Sequence, residues 1–232
     1  MRKILISILL MVTLSGCYTT TYVVESTHKL DRAYSNPKTN NEVINEVSYT
    51  DEYLTTIPKS VDPKIDLTIF NNHTSSIRIL WDESAYIDAT GNAHRVIHTG
   101  VKFIEKEKAQ VASVIPVSAK LEDEIAPVEC IKFIEGNEYT KSSWTIIPFE
   151  EYKFYTLSGA ENLISAFQND PNLSGCTLML VVMVDDKKIE YTLRFNGETF
   201  SISSKQQLDY EATLAACTIT ILASSILPLL FI

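Results

Sequence analysis

The sequence predicts a mainly β chain: an antiparallel β-sandwich of immunoglobulin-like type with one short helix, followed by an apolar C-terminal helix. Three observations predict it. Apolar and polar residues alternate over many short runs. Clusters of turn-forming residues separate those runs at short intervals. One stretch alone in the body, after Ser158, combines helical spacing with a capping signal.

Ile65, Leu67 and Ile69 alternate with Asp66 and Thr68, the pattern of a strand with one buried face. Asn71-Asn72-His73 is a turn cluster, after which Ile77, Ile79 and Trp81 alternate again. Trp81 in that series reads as a core residue. The competing reading, a ligand-binding rim with Asp82, Glu83 and Tyr86, rests on aromatic rings beside carboxylates. Residues 86–88 and 95–98 flank Gly91-Asn92, a hairpin-type turn. Further strands are expected at 111–115, 128–134 and 144–149. The clearest pair comes last: 178–184 is a nearly continuous apolar run, Asp185-Asp186-Lys187 turns it, and Ile189, Tyr191, Leu193 and Phe195 alternate on return. Asn196-Gly197 then reads as another tight turn, into 198–202. The helix opens at Ser158-Gly159-Ala160-Glu161, which has the form of a capping box. Leu163, Ile164 and Phe167 follow at helical spacing, and Asp170-Pro171 ends it. Trp81 precedes both Cys130 and Cys176, so the Cys-Trp-Cys order of antibody domains is absent and the sandwich rests on strand count.

The organisation that follows is a signal segment (1–16), a polar tether and lead-in (17–63), the β-sandwich domain (64–204) and a transmembrane-like helix (212–232). The tether is rich in Thr, Ser and Asn and broken by Pro37, Pro58 and Pro63, with 19–24 as a short strand and Val43, Ile44 and Val47 hinting at a helical turn. The final run carries no charge over about 21 positions, which as a helix covers roughly 31 Å, the thickness of a bilayer core. Tyr210 stands before it at headgroup depth. Thr213, Cys217, Thr220 and Ser224 are spaced four, three and four apart, so they share one helical face suited to packing against another helix. Competing readings of the run are a buried core helix, a terminal strand, or the removable tail of a glycolipid-anchor signal preceded by Ser201, Ser203 and Ser204.

Arg2 and Lys3 form a positive n-region, residues 4–13 a short apolar h-region, and Leu14-Ser15-Gly16-Cys17 closes it. These last four residues resemble the lipobox of bacterial lipoproteins. The resemblance covers the targeting segment alone. It implies a diacylglyceryl group on Cys17, removal of the peptide before it and acylation of the new amino terminus. The expected location is therefore a bacterial cell envelope, with the body facing the periplasm or exterior. Tyr18 in place of aspartate after the cysteine points to the outer membrane of enteric bacteria, whereas an apolar helix at the C-terminus points to the inner one, which is favoured because a spanning helix holds more firmly than acyl chains.

The chain carries 20 basic and 29 acidic residues, a formal net charge of −9 that falls to about −11 once Arg2 and Lys3 leave with the signal. Such a body has no electrostatic affinity for phosphate backbones or anionic headgroups, so nucleic acid is not an expected partner and membrane attachment falls to lipid and tail. The expected partners are the membrane and either an envelope protein or further copies of this chain. In the body, Cys130 and Cys176 allow two readings: a disulfide closing a loop of about 45 residues, or two separate buried thiols. No G-x-S-x-G elbow, phosphate-binding glycine loop or paired C-x-x-C occurs, and no cofactor is expected. His73, Asp82, Glu83, His94 and His98 are the only constellation with metal-ligand chemistry. In a strand, His94 and His98 share a face about 13 Å apart, too far for one zinc ion, so no metal is expected and a metal-assisted hydrolase ranks last. Glu122-Asp123-Glu124 lacks the spaced pattern of a calcium loop and reads as a solvated loop. The expected function is non-enzymatic, a binding or assembly module of the envelope, with a structural subunit of an oligomeric complex as the alternative.

Overall fold

A computed structural model describes residues 18–208, except 46, 62, 63, 139 and 148–151. Cys17, the signal segment and the apolar run with Thr213, Cys217, Thr220 and Ser224 lie outside the described residues. The chain is mainly β with one α-helix and a large antiparallel sheet. Among the described residues no helix is long and apolar enough to cross a membrane.

The chain divides into two compact units, one formed by segments 18–23, Tyr152–Glu161 and 202–208, the other by Val24–Glu151 and Asn162–Ser201. In the first, β1 (Tyr18–Asn36) pairs with the edge strand β13 (Lys153–Phe154), Tyr22 opposite Phe154. The Thr21 hydroxyl donates to the carbonyl of Lys205 on β15 (Lys187–Leu208) at 3.3 Å. Helix α1 (Leu157–Asn169) begins one residue before the expected cap, Ser158. Thr156 Oγ1 accepts the Gly159 amide at 3.3 Å, so Ser158 lies inside the first turn instead of capping it.

The second unit holds β2 (Val43–Asn45), β3 (Ser48–Thr50), β4 (Leu54–Val61), β5 (Ile65–Asn71), β6 (Ile77–Ile79), β7 (Ala85–Ile87), β8 (Ala93–His98), β9 (Ser113–Ile115), β10 (Lys120–Pro127), β11 (Ile131–Ile134), β12 (Ser143–Ile146) and β14 (Cys176–Val184). Its strands follow the order β1-β15-β14-β7-β8-β10-β5-β4-β3-β2, with β6 joining β14 to β9 and with β11 and β12 as a separate pair. The β14–β15 hairpin matches expectation, with Val184 opposite Lys187 and Leu180 opposite Tyr191. Asp185 takes φ +51° at its turn, a conformation Asp tolerates better than most residues. The β7–β8 hairpin also forms, Ala85 opposite Arg95, around Gly91 at φ +90°.

Four expectations are corrected. The tether is not loosely ordered, for β1 to β4 occupy most of 18–61 and bury Leu30, Tyr49 and Leu54. Its Thr, Tyr and Val residues suit a pleated sheet whatever their polarity. Val43 and Ile44 belong to β2, not to a helical turn. The triplet Glu122-Asp123-Glu124 lies within β10, between β5 and β8. Glu122 and Glu124 face outward to Lys59, Lys120 and Lys64, while Asp123 points inward. Asn196-Gly197 is not a turn, since β15 runs straight through it. Gly197 serves a close approach, because a Cβ there would collide with Ser174 and the Phe200 ring.

The larger core gathers Leu30, Leu54, Ile65, Leu67, Ile69, Ile77, Ile79, Trp81, Leu178, Leu180, Val182, Tyr191, Leu193 and Phe195, drawn from both ends of the strand order. Tyr49 of β3 meets Tyr191 of β15 edge to face, centroids 5.8 Å apart. Trp81 is buried as expected of a core residue, though in a 3₁₀ turn (Trp81–Glu83) instead of a strand.

Within this core lies a carboxylate. Asp51 is 3% exposed, and its Oδ2 accepts from Thr39 Oγ1 (2.6 Å), Tyr191 OH (3.0 Å) and Tyr49 OH (3.3 Å). Its Oδ1 accepts the amides of Tyr53 and Leu54, both at 2.8 Å. Burial, reinforced by the nearby carboxylate, pushes the Tyr191 phenol far above its ordinary pKa, and burial does the same for Tyr49, so both remain donors. Asp51→Ala strands the Tyr191 hydroxyl and two amides and leaves Thr39 and Tyr49 only their bonds to Glu42 and each other, and is expected to cost about 3 kcal/mol in urea unfolding. Tyr191→Phe removes one bond and is expected to cost about 1 kcal/mol.

Candidate functional site

A second, smaller core consists of Ile97, Ala126, Val128 and Ile131, with Val101, Phe103 and Ile146 packed against it. It floors a cleft of about 280 Å³ lined by Lys64, Ile97, His98, Thr99, Gly100, Val101, Phe103, Glu124, Ala126 and Ile146. Strands β8 and β10 build one side, Ile125 standing opposite His98. The segment after β8 builds another and is pinned by side chains. Lys106 Nζ donates to the carbonyls of Val128 and Ile131 at 3.1 and 2.9 Å, and Gln110 Nε2 donates to Val96 O at 2.6 Å.

His98 ends β8 at the rim of this cleft. Its ring stacks on Trp81, with centroids 4.4 Å apart and planes 13° from parallel. The Trp81 indole N–H donates to Ser113 Oγ at 2.8 Å. Asp123 Oδ2 lies 3.1 Å from His98 Nδ1, and Asp123 Oδ1 accepts the Thr99 amide at 2.7 Å. A carboxylate only accepts, so His98 donates to Asp123 through Nδ1. Thr99 Oγ1 accepts the Glu124 amide at 3.0 Å, which locks the loop to β10. Lys64 Nζ lies 2.8 Å from Glu124 Oε2 and 3.3 Å from Asp66 Oδ1. The Glu124 carboxylate foremost raises the Lys64 pKa, against burial.

Near the cleft, Phe103 meets Trp144 edge to face (6.5 Å), and Trp144 meets Phe133 (5.2 Å). Ile104 is 77% exposed, and Phe133, Ile134 and Trp144 also show apolar surface to solvent.

The residues raised from sequence disperse instead of converging. His73 pairs with Asp185 (3.3 Å), Asp82 with Arg95 (3.0 Å) and Glu83 with Lys188 (2.7 Å). His94 sits between Asp88 (Nε2, 3.0 Å) and Glu129 (Nδ1, 3.4 Å). No group of three or more metal-ligating side chains is gathered among the described residues. Cys130 and Cys176 are buried thiols, not a disulfide. Cys176 belongs to the larger core at the head of β14, whereas Cys130 ends a 3₁₀ turn (Val128–Cys130) beside the smaller one, so the two bury in different places. The sequence does not mark Thr99, Lys64 or Phe103 as site residues, and it raises Asp123 and Glu124 only within a calcium-loop candidate that it sets aside. The signal that would have found Asp123 is its place between two outward-facing glutamates on an eight-residue strand. No family model, curated protein or solved structure matches the chain.

Asp88 carries a testable charge. Burial acts to raise its pKa, but hydrogen bonds from the His94 ring, the Thr90 hydroxyl and the amides of Asn92 and Thr90 outweigh it and hold the carboxyl well below its ordinary range. A depressed carboxyl contributes stability above its unfolded pKa of roughly 3.9 and loses it as pH falls through the lower folded value. Asp88→Ala is therefore expected to cost about 2 kcal/mol at pH 6. The gap to the unaltered protein is expected to narrow below about pH 4, read from urea midpoints.

Proposed function

We propose that this chain is a lipid-anchored, non-enzymatic binding module of a bacterial cell envelope, its body a β-sandwich held at the membrane by Cys17. One observation carries the reading: a positive n-region, a short apolar h-region and Leu14-Ser15-Gly16-Cys17 in register, the order that lipid attachment requires. The sandwich draws support from the larger core. Tyr49 and Tyr191 touch although β14, β7, β8, β10, β5 and β4 stand between their strands in the hydrogen-bonded order. A sheet whose two ends share one core has two layers facing each other. The binding role draws support from the cleft, which sets a few polar groups over an apolar floor beside exposed aromatic surface.

In this reading the apolar run 212–232 is a second anchor, which favours the inner membrane. The alternative is a subunit of an oligomeric envelope complex, favoured by the stripe Thr213, Cys217, Thr220 and Ser224. The mass of the detergent-extracted protein separates the two: a monomer is expected, and a defined oligomer moves the reading to the alternative. For the anchor, mass spectrometry of the mature protein is expected to find an acylated amino terminus at Cys17, and Cys17→Ser to block processing. An unmodified start at Tyr18 or beyond refutes lipid attachment.

A further inference from the structure

We propose that the β11–β12 hairpin and the 3₁₀ turn beside it (Phe103–Glu105) dock on a zwitterionic lipid bilayer, with Ile104, Phe133, Ile134 and Trp144 entering the headgroup layer. The proposal rests on the reading of the body as membrane-anchored and names the partner of its exposed aromatic surface.

The first support is where the apolar residues stand. The hairpin is held to the smaller core at its base, where buried Ile131 pairs with Ile146 and the Ile147 amide donates to Cys130 O at 2.8 Å. Beyond that pair the burial ends: Phe133 stands opposite Trp144, and both rings show surface to solvent. Ile104, the most exposed of the four, lines one open depression with Val101, Phe103 and Trp144. Ile134 alternates with Phe133 and so leaves the ribbon from its other face, where it too is exposed. A groove on a partner protein covers one face of such a ribbon, whereas a fluid bilayer takes up apolar side chains from both. The ribbon pairs with no further strand among the described residues, and its open backbone edges need water or headgroups as partners, which limits entry to the interface.

The second support is charge. Segments 101–108 and 131–146 carry five lysines against four glutamates, in a chain whose net charge is −9. An acidic body is repelled from a membrane surface wherever its carboxylates lead, and here they do not. Glu105 is paired with Lys108, and Lys106 turns inward to the carbonyls of Val128 and Ile131. Lys102 lines the depression itself, where its stem can lie along apolar surface while its ammonium stays at phosphate depth. Aromatic rings, branched aliphatics and lysine together are the composition of an interfacial belt. The rest of the chain supplies the bilayer: Cys17 directly precedes β1 and the apolar run 212–232 follows β15, so in the anchored reading both ends keep the body within reach of lipid.

The test uses the full chain reconstituted in phosphatidylcholine vesicles, with and without bromine on the acyl chains close to the carbonyl, and reads tryptophan emission. Bromine quenches at short range, and the two tryptophans differ: Trp81 is 1% exposed and Trp144 37%. Brominated vesicles are expected to quench part of the emission, and Trp144→Phe to abolish that part. Ile104→Asp, at a position open to solvent, is expected to lower the quenched part at least roughly twofold with both anchors unchanged, while Ile104→Leu retains it. Circular dichroism checks that each variant folds; if Trp144→Phe does not, the Ile104 pair decides. Equal quenching in Ile104→Asp and the unaltered chain, or no quenching by brominated lipid, overturns the proposal. Emission that shifts with protein concentration in micelles and not with lipid assigns the surface to a second copy and overturns it as well. The mass at Cys17 reads the anchor separately: quenching without acylation leaves the docking standing and refutes the anchor, and acylation without quenching does the reverse.

Discussion

The carboxylate of Asp51 is the constraint on which the larger core depends. A buried charge loses its hydration, a cost of several kcal/mol that only dense hydrogen bonding offsets. Five donors supply that bonding, and they come from separated parts of the chain: Thr39 after β1, Tyr49 on β3, Tyr191 on β15 and the amides of Tyr53 and Leu54. Glu42 extends the network, accepting from Ser35 Oγ at 2.7 Å and Tyr49 OH at 3.1 Å. The Tyr49 hydroxyl has one proton for two acceptors, so its bond is shared between Glu42 and Asp51. The Ser35 bond foremost holds Glu42 below the usual carboxylate range. The arrangement fixes register as well as energy, because sliding β3 by one residue would turn the Tyr49 hydroxyl away from both acids and its ring away from Tyr191.

This network explains where the amino-acid pattern could be read and where it could not. β5, β6, the β7–β8 pair and the β14–β15 hairpin bury aliphatic residues on one or both faces, and their alternation or continuous apolar run is legible in one dimension. β1 to β4 are anchored differently. Ser35, Thr39, Asp51 and Tyr49 bury polar atoms against one another, which along the chain looks like a solvated tether. Polar residues satisfied by partners distant in sequence are invisible to a hydropathy pattern. The same holds for Gly197, whose role is set by Ser174 and Phe200 across space and not by its neighbour Asn196.

The sequence raises His98 only as a ligand candidate beside His94, a reason the structure does not use, whereas it reads Trp81 as a core residue, which it is. What joins them is Asp123, concealed because its neighbours Glu122 and Glu124 made the triplet look like a loop. The lysines that make that strand possible come from other segments. Lys59 reaches Glu122 at 3.2 Å and Lys64 reaches Glu124 at 2.8 Å. Exposed pairs of this kind contribute little to stability one by one. Their effect here is local, since they relieve the repulsion between two outward carboxylates on one strand and let Asp123 face inward alone.

The consequence is a division of labour among the acids of a chain with net charge −9. Asp51, Asp88 and Asp123 are each held by specific donors, and each fixes a different part: a strand edge, a hairpin turn and a cleft histidine. The outward acids take lysine partners. Asp123 differs from the other two held acids in one respect. Asp51 and Asp88 spend their bonds on groups enclosed by the fold or by a turn, whereas Asp123 joins the amide that ends β8 to a ring stacked on Trp81. Fixing that ring costs the fold nothing more, because the Thr99 amide needed an acceptor at the end of β8 in any case. The orientation of His98 is therefore a by-product of terminating a strand, and the stacking of its ring on the buried Trp81 follows from the chemistry that ends β8.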